Sequence, residues 1–238
     1  MSVVKAIFNK EFKGYFSSPT AYVFMTVYLV LTGWLFFRAF FFEAQASMRY
    51  YFVVLPWIFL FLLPAVTMRT WAEEKSSGTL ELMLTLPVKD YEVVLGKFLA
   101  CFFFLALTVM FSFPIPLIVY MYGNPDPGPL IGGYLGALFM GAAYLSIGIF
   151  ASGLTKNQIV AYIMGIALCF FMFILGEGLV LGLLPKALVP IFEYLGLGSH
   201  FHSIGRGVID TRDLVYYVSV VVFFLFLNVR TVESRKWK

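Results

Sequence analysis

Residues 69–97 read RTWAEEKSSGTLELMLTLPVKDYEVVLGK. Nine of the 30 Lys, Arg, Asp and Glu residues in the chain fall here: Arg69, Glu73, Glu74, Lys75, Glu81, Lys89, Asp90, Glu92 and Lys97. Long apolar runs flank the stretch on both sides. Charge at that density does not sit in hydrocarbon, so the stretch reads as a water-facing loop between two membrane helices. It also carries helix punctuation, with Gly78-Thr79 opening TLELMLTL and Leu86-Pro87 stopping it. A short stopped helix on such a loop is a surface offered to a soluble partner.

Working outward, composition agrees. The 238 residues are 61% hydrophobic and only 13% charged. A soluble domain is nearer half apolar and a quarter charged. The expected class is therefore all-α, polytopic and membrane-embedded. Six spans are predicted: Ala21–Phe42, Tyr51–Met68, Val93–Tyr122, Leu130–Leu154, Ile159–Leu184 and Leu214–Val229. Pro114 and Pro116 offer a kink in the third. Pro56 and Pro64 make the second the weakest. The first run is 22 residues long, too long for the h-region of a cleaved signal peptide, despite Ala44-Gln45-Ala46 after it.

Lys and Arg sort between the two sides of this plan. Twelve lie on the side of both termini and of the 69–97 loop, and five (Arg38, Arg49, Lys186, Arg206 and Arg212) on the other. The twelve-residue side is expected to be cytoplasmic, in the inner membrane of a prokaryote. Before the first span, Val4, Phe8, Phe12 and Tyr15/Phe16 recur at helical spacing, with Lys5, Asn9 and Lys13 on another face. That pattern predicts an amphipathic helix in the headgroup region, ended by Ser17-Ser18-Pro19.

The fourth span is rich in small residues. Gly132 with Gly136, and Gly148 with Ser152, have small-xxx-small spacing, repeated by Ala161 and Gly165 in the fifth. Close packing follows, either within the subunit or across a dimer. Residues 185–213, PKALVPIFEYLGLGSHFHSIGRGVIDTRD, are too broken by Gly and Pro to span and too apolar for a plain loop. An outer re-entrant or interfacial hairpin fits.

Candidate chemistry is sparse. No GxxxxGK[ST] occurs, so the chain holds no P-loop of its own. Cys101 and Cys169 sit in apolar runs and read as small buried hydrophobes. Glu177, late in the fifth span, is either an intramembrane acid or already at the outer headgroups. His200 and His202, near Glu193 and Asp210, resemble a metal pair only weakly, because i and i+2 point apart on a helix. No metal is expected. With Arg206, the residues Glu177, His200, His202 and Asp210 form a candidate outer site for a partner or a gate. Glu73 and Glu74 are adjacent, so their carboxylates diverge on a helix; they read as a solvated face or a partner contact.

The loop pattern Arg69-x3-Glu73-Glu74-Lys75-x2-Gly78-Thr79-Leu80-Glu81-x4-Leu86-Pro87 and the six-span plan resemble the ABC-2 type transporter permeases. Residues 203–217, from Ser203 through Arg206, Asp210 and Arg212 to Tyr217, resemble that family too. Within it the closest likeness is to the gliding-motility-associated permease and the permease of nitrous oxide reductase maturation. The resemblance implies a type V exporter fold in one transmembrane domain over residues 1–238. Two permeases, copies or homologues, would pair, each on a separate ABC ATPase subunit that binds the ATP and Mg2+. Residues 73–87 would be the coupling helix, Val3–Phe16 the connecting helix and residues 185–213 the outer re-entrant segment. Glu73, Glu74 and Glu81 would face basic residues of the ATPase, and Leu80, Met83 and Leu84 its cleft. The function implied is export coupled to ATP hydrolysis elsewhere, with no catalysis in this chain. The alternative is a scaffold that transmits force to an outer accessory protein. No nucleic-acid partner is expected.

Overall fold

The computed structural model describes residues 3–43, 47–84, 88–207 and 210–234, with the backbone alone at residues 43 and 82–84. Every regular element among them is helical. Helix α1 (Val3–Ser17) precedes α2 (Pro19–Glu43) and α3 (Arg49–Thr67). Two short helices, α4 (Arg69–Ser76) and α5 (Thr79–Leu84), then lead to α6 (Asp90–Met110) and α7 (Pro114–Tyr122). Next come α8 (Pro127–Leu154), α9 (Gln158–Ile174), α10 (Gly178–Leu181), α11 (Val189–Leu195), α12 (Leu197–Gly205) and α13 (Thr211–Glu233).

Helix α8 is the centre. It packs against α3, α4, α6, α9, α12 and α13. Its small residues permit this because each admits a neighbour where a Cβ would collide: Gly133 faces Phe52, Gly141 faces Leu105, Gly148 faces Thr67 and Gly136 faces Ile204. These neighbours all belong to the chain's own helices. The start of α8 is set by Asp126, whose carboxylate accepts the Gly128 N–H at 3.0 Å, with Pro127 as the first helical residue.

Among the described residues, five helical segments are long and apolar enough to cross a membrane: Pro19–Phe42, Arg49–Ser76, Asp90–Tyr122, Pro127–Leu154 and Thr211–Glu233. The third breaks between Met110 and Pro114, beside the two prolines expected to kink it. The fifth predicted span is corrected. Its helix α9 ends at Ile174 after 17 residues, about 25 Å of rise, rather than continuing to Leu184. The chain turns at Gly176 because it abuts Gly196, and a Cβ on Gly176 would lie 3.0 Å from both Gly196 Cα and Ser199 Oγ.

The contacts define two ends of the bundle. At one lie α1, α4, the start of α6 and the close of α8, where Gly153 meets Asn228 and Thr231 of α13. At the other lie the starts of α3 and α8, the close of α9 and the α10–α12 segment.

Candidate functional site

The charged stretch 69–97 builds the first of these ends. Helix α3 stops at Thr67, and α4 restarts at Arg69 with no cap from its own side chains. The cap comes from α8. Ser152 Oγ accepts the N–H groups of Trp71 at 3.0 Å and Ala72 at 3.1 Å, and its hydroxyl donates to the Met68 carbonyl at 2.9 Å. One hydroxyl thereby satisfies backbone groups that a helix start leaves open. Lys75 Nζ adds a bond to the Gly153 carbonyl. Helix α4 is thus pinned to the end of α8, with Trp71 and Ala72 fully buried.

Lys97, one turn and more into α6, is only 1% exposed. Its ammonium donates to Glu74 Oε1 at 2.8 Å, to the Thr70 carbonyl at 2.9 Å and to Glu11 Oε1 at 3.0 Å. It also stands 4.9 Å from the Trp71 ring centroid. All three donor hydrogens of the ammonium are accounted for, which is what a buried cation requires. Three separate elements (α1 through Glu11, α4 through Glu74 and Thr70, and α6 itself) meet on one nitrogen. Lys10 adds a longer contact, 3.9 Å from Glu74 Oε1.

Helix α1 reaches this hub because α6 lets it approach. A Cβ on Gly96 would lie 2.8 Å from Ile7 Cγ2 and 3.2 Å from the Val4 carbonyl oxygen. The predicted aromatic face of α1 lies against α6: Phe8 stacks on Phe12 and edges Phe103, while Tyr15 and Phe16 meet Phe104. Tyr15 Oη lies 3.0 Å from Cys101 Sγ. Burial pushes the Tyr15 phenol well above its ordinary value, so it acts there as a neutral hydroxyl.

Two residues expected to contact a partner face inward within this chain. Glu74 is turned inward to Lys97, and Leu80 is 5% exposed within the main apolar core. Glu73 diverges from Glu74 and pairs with Arg69 at 2.8 Å on the exposed side, while Glu81 is exposed in the first turn of α5. Between α4 and α5, Gly78 takes φ 74°, a left-handed turn that glycine adopts without Cβ strain. Thr79 follows it, its hydroxyl 2.9 Å from Ser77 Oγ. The side chains of Met83 and Leu84, and all of Leu86 and Pro87, lie outside the described residues.

At the opposite end the candidate outer residues separate. His200 is buried, with Nδ1 2.6 Å from Asp213 Oδ1 and Nε2 2.9 Å from the Tyr194 carbonyl, and its ring stacks on Tyr216 at 3.9 Å. Tyr216 and Tyr217 donate to the carbonyls of Leu195 at 2.5 Å and Leu197 at 2.8 Å. These bonds fasten α11 and α12 to α13, so the expected hairpin is a packed part of the bundle. The partner of His200 is Asp213, not Asp210. Asp210 caps α13 by accepting the Arg212 N–H at 2.9 Å. His202 points away from His200, with Nε2 3.5 Å from Glu177 Oε1. Glu177 sits at the break after α9, in the N-cap position of α10 with no capping bond from its side chain. Arg206 Nε donates to the His202 carbonyl at 3.2 Å.

Several contributors were not singled out from sequence: Lys97 as a hub, Glu11, Ser152 as a cap, and Asn228. The last is fully buried in α13, with neither amide atom bonded among the described residues. A lysine inside the apolar run VVLGKFLACFFF carried a readable signal, because a cation in such a run needs a partner.

No curated protein matches this sequence. Residues 37–227 match the ABC-2 family transporter proteins, and the match covers most of the chain. Several helices long and apolar enough to cross a membrane and this family match together make the chain a multi-pass membrane protein of the ABC-2 transporter family.

Proposed function

We propose that this chain is the permease subunit of an ABC exporter, worked by a separate ATPase that docks on α4 and α5. The observation that carries the reading is mechanical. Helix α4 is fixed to α8 by Ser152 and Lys75 and to α1 and α6 by Lys97, while Glu73 and Glu81 stay exposed beside it. A pull on α5 is therefore delivered to three elements of the bundle at once. ATP and Mg2+ belong to the partner, since the chain has no P-loop. ATP-driven closure of two such ATPases would move two α4–α5 elements and reshape the interface between two permeases, copies or homologues.

The same reading takes α9 as a sixth, short span, with α1 and the close of α13 on the cytoplasmic side of a prokaryotic inner membrane. It is supported by the twelve-to-five division of Lys and Arg and by the grouping of α1, α4 and the last turns of α13 at one end. The finer likeness to the gliding-motility and nitrous-oxide-reductase permeases rests on loop motifs alone.

The test is purification in mild detergent with identification of what accompanies the chain. A P-loop ATPase whose activity changes on Glu81→Lys is the expected result. A preparation with no ATPase, or full coupling in the charge-reversed variant, sinks the proposal.

A further inference from the structure

The start of α3, the close of α9 and α12 enclose a cavity of about 360 Å³ at the end of the bundle opposite α1. That is the size of a small ligand pocket. Arg49 and Arg206 both line it, and the carboxylate among the lining residues is Glu193. His202 also lines it but is engaged by Glu177 at 3.5 Å. Arg206 commits its Nε–H to the His202 carbonyl, which leaves its two terminal amino groups. Among the described residues the Arg49 guanidinium has neither a hydrogen bond nor an ion pair. Guanidinium stays charged at any physiological pH, and its fork matches the oxygens of a phosphate; two forks on one ligand favour a group with three or more acceptor oxygens.

A second observation gives the rest of the ligand. Arg49 heads a row of residues spaced by four along α3: Val53, Trp57 and Phe61, which are 46%, 45% and 52% exposed. Residues at that spacing form one continuous ridge. Val53 also lines the cavity, and Trp57 is set edge-on to Phe173 of α9 at 5.1 Å. The ridge runs from a charged cup at a helix end into the apolar length of the span, over about 18 Å. Charge above and apolar surface below, in one line, is the pattern of a headgroup and a chain. We propose that this face binds a phosphate-bearing amphiphile, its phosphate between Arg49 and Arg206 and its chain along Val53, Trp57 and Phe61.

The test uses the full chain purified in a maltoside detergent, titrated with dioleoyl phosphatidylglycerol and, separately, with glycerol 3-phosphate. Binding is read by native mass spectrometry, and by the share of tryptophan quenching by brominated phosphatidylglycerol that is lost in Trp57→Phe, since Trp34, Trp71 and Trp237 also emit. The expected result is a retained lipid whose affinity falls about tenfold in Arg49→Gln and again in Arg206→Gln, as loss of a charge-assisted contact predicts. Arg49→Lys, which keeps the charge but not the fork, falls between. Lys186→Gln, an exposed cation outside the cup, changes nothing. Val53→Asp, which brings a carboxylate to the cup with both arginines kept, also weakens the lipid. Equal retention by wild type and the arginine variants overturns the proposal. So does glycerol 3-phosphate binding as tightly as the lipid, which would make the site one for free phosphate. Disulfide formation between copies at Trp57→Cys would show the ridge to be covered by a second chain and would overturn it as well. No ATPase is present in this assay, so its outcome is separate from that of the permease reading.

Discussion

Lys97 Nζ and Glu74 Oε1 are 2.8 Å apart, and the lysine is almost wholly withdrawn from solvent. A buried pair of this kind adds little to stability compared with well-packed apolar residues, but breaking it from one side is costly. Its consequence here is positional: it holds α4 and α6 in one register, and through Glu11 it adds α1.

Lys97→Met should therefore destabilise the chain by about 3–5 kcal/mol, because Glu74 and Glu11 lose their buried cation and only the exposed Lys10, 3.9 Å from Glu74, remains nearby. Both carboxylates are less than a third exposed, so solvent screens them only partly. The thermal midpoint in detergent is the readout. The double variant Lys97→Met/Glu74→Gln should recover part of the loss. Equal midpoints for wild type and Lys97→Met would mean that the ammonium holds nothing together.

Gly96→Val should lift α1 from α6. The branched side chain would meet Ile7 and the Val4 carbonyl, and the backbone cannot yield as a side-chain tip can. Faster proteolysis within residues 3–17 and a lower midpoint are expected. Gly14→Ala is the matched control. Nothing lies within 4 Å of its added Cβ, and Gly14 sits in the body of α1, so that change should stabilise by about 0.5–1 kcal/mol. Protection of α1 unchanged by Gly96→Val would contradict the close approach.

What the sequence disclosed and what it withheld divide along physical lines. The apolar runs of α2, α3, α8 and α13 and the charged stretch after α3 were legible, because span length and charge exclusion are local properties. The small residues of α8 announced close packing, yet spacing alone does not say which helix arrives; Thr67, Leu105 and Ile204 do so only in the folded chain. Glu74 and Leu80 looked like partner contacts because a solvated face and an inward face share residue types. Lys97, seven residues beyond Asp90 on the same helix, is what draws Glu74 inward. The end of α9 was misplaced because Gly176 turns for the sake of Gly196, a residue twenty positions away.

Ser152→Ala should loosen the joint between α3 and α4. It removes the acceptor for two buried N–H groups and the donor to the Met68 carbonyl, so about 1–2 kcal/mol is expected. The midpoint measures this. Hydrogen exchange should show the effect concentrated at Trp71 and Ala72. Uniform exchange across α3 and α4 in the variant would argue that the cap is incidental.

His200→Phe keeps an aromatic ring against Tyr216 but removes both polar contacts of the imidazole. Asp213 is then left buried, and its Oδ2 already has no partner among the described residues. A buried carboxylate without its donor is the costlier half of such a deletion, and about 1–3 kcal/mol is expected from the lost hydrogen bonding. The direction of a second change separates this account from simple misfit of the larger ring. In His200→Phe/Asp213→Leu the buried carboxylate is gone and only the Tyr194 carbonyl has lost its donor, so stability should return part of the way toward wild type even though two native side chains are gone. If steric misfit of the introduced phenyl ring were the cause, the double variant would be no better than the single. The α11–α12 segment should respond first, since α12 loses its bond to Asp213 of α13 and the Tyr194 carbonyl of α11 loses its donor; a cysteine placed at exposed Ile191 and labelled with a water-soluble maleimide would react faster in His200→Phe and closer to the original rate in the double variant.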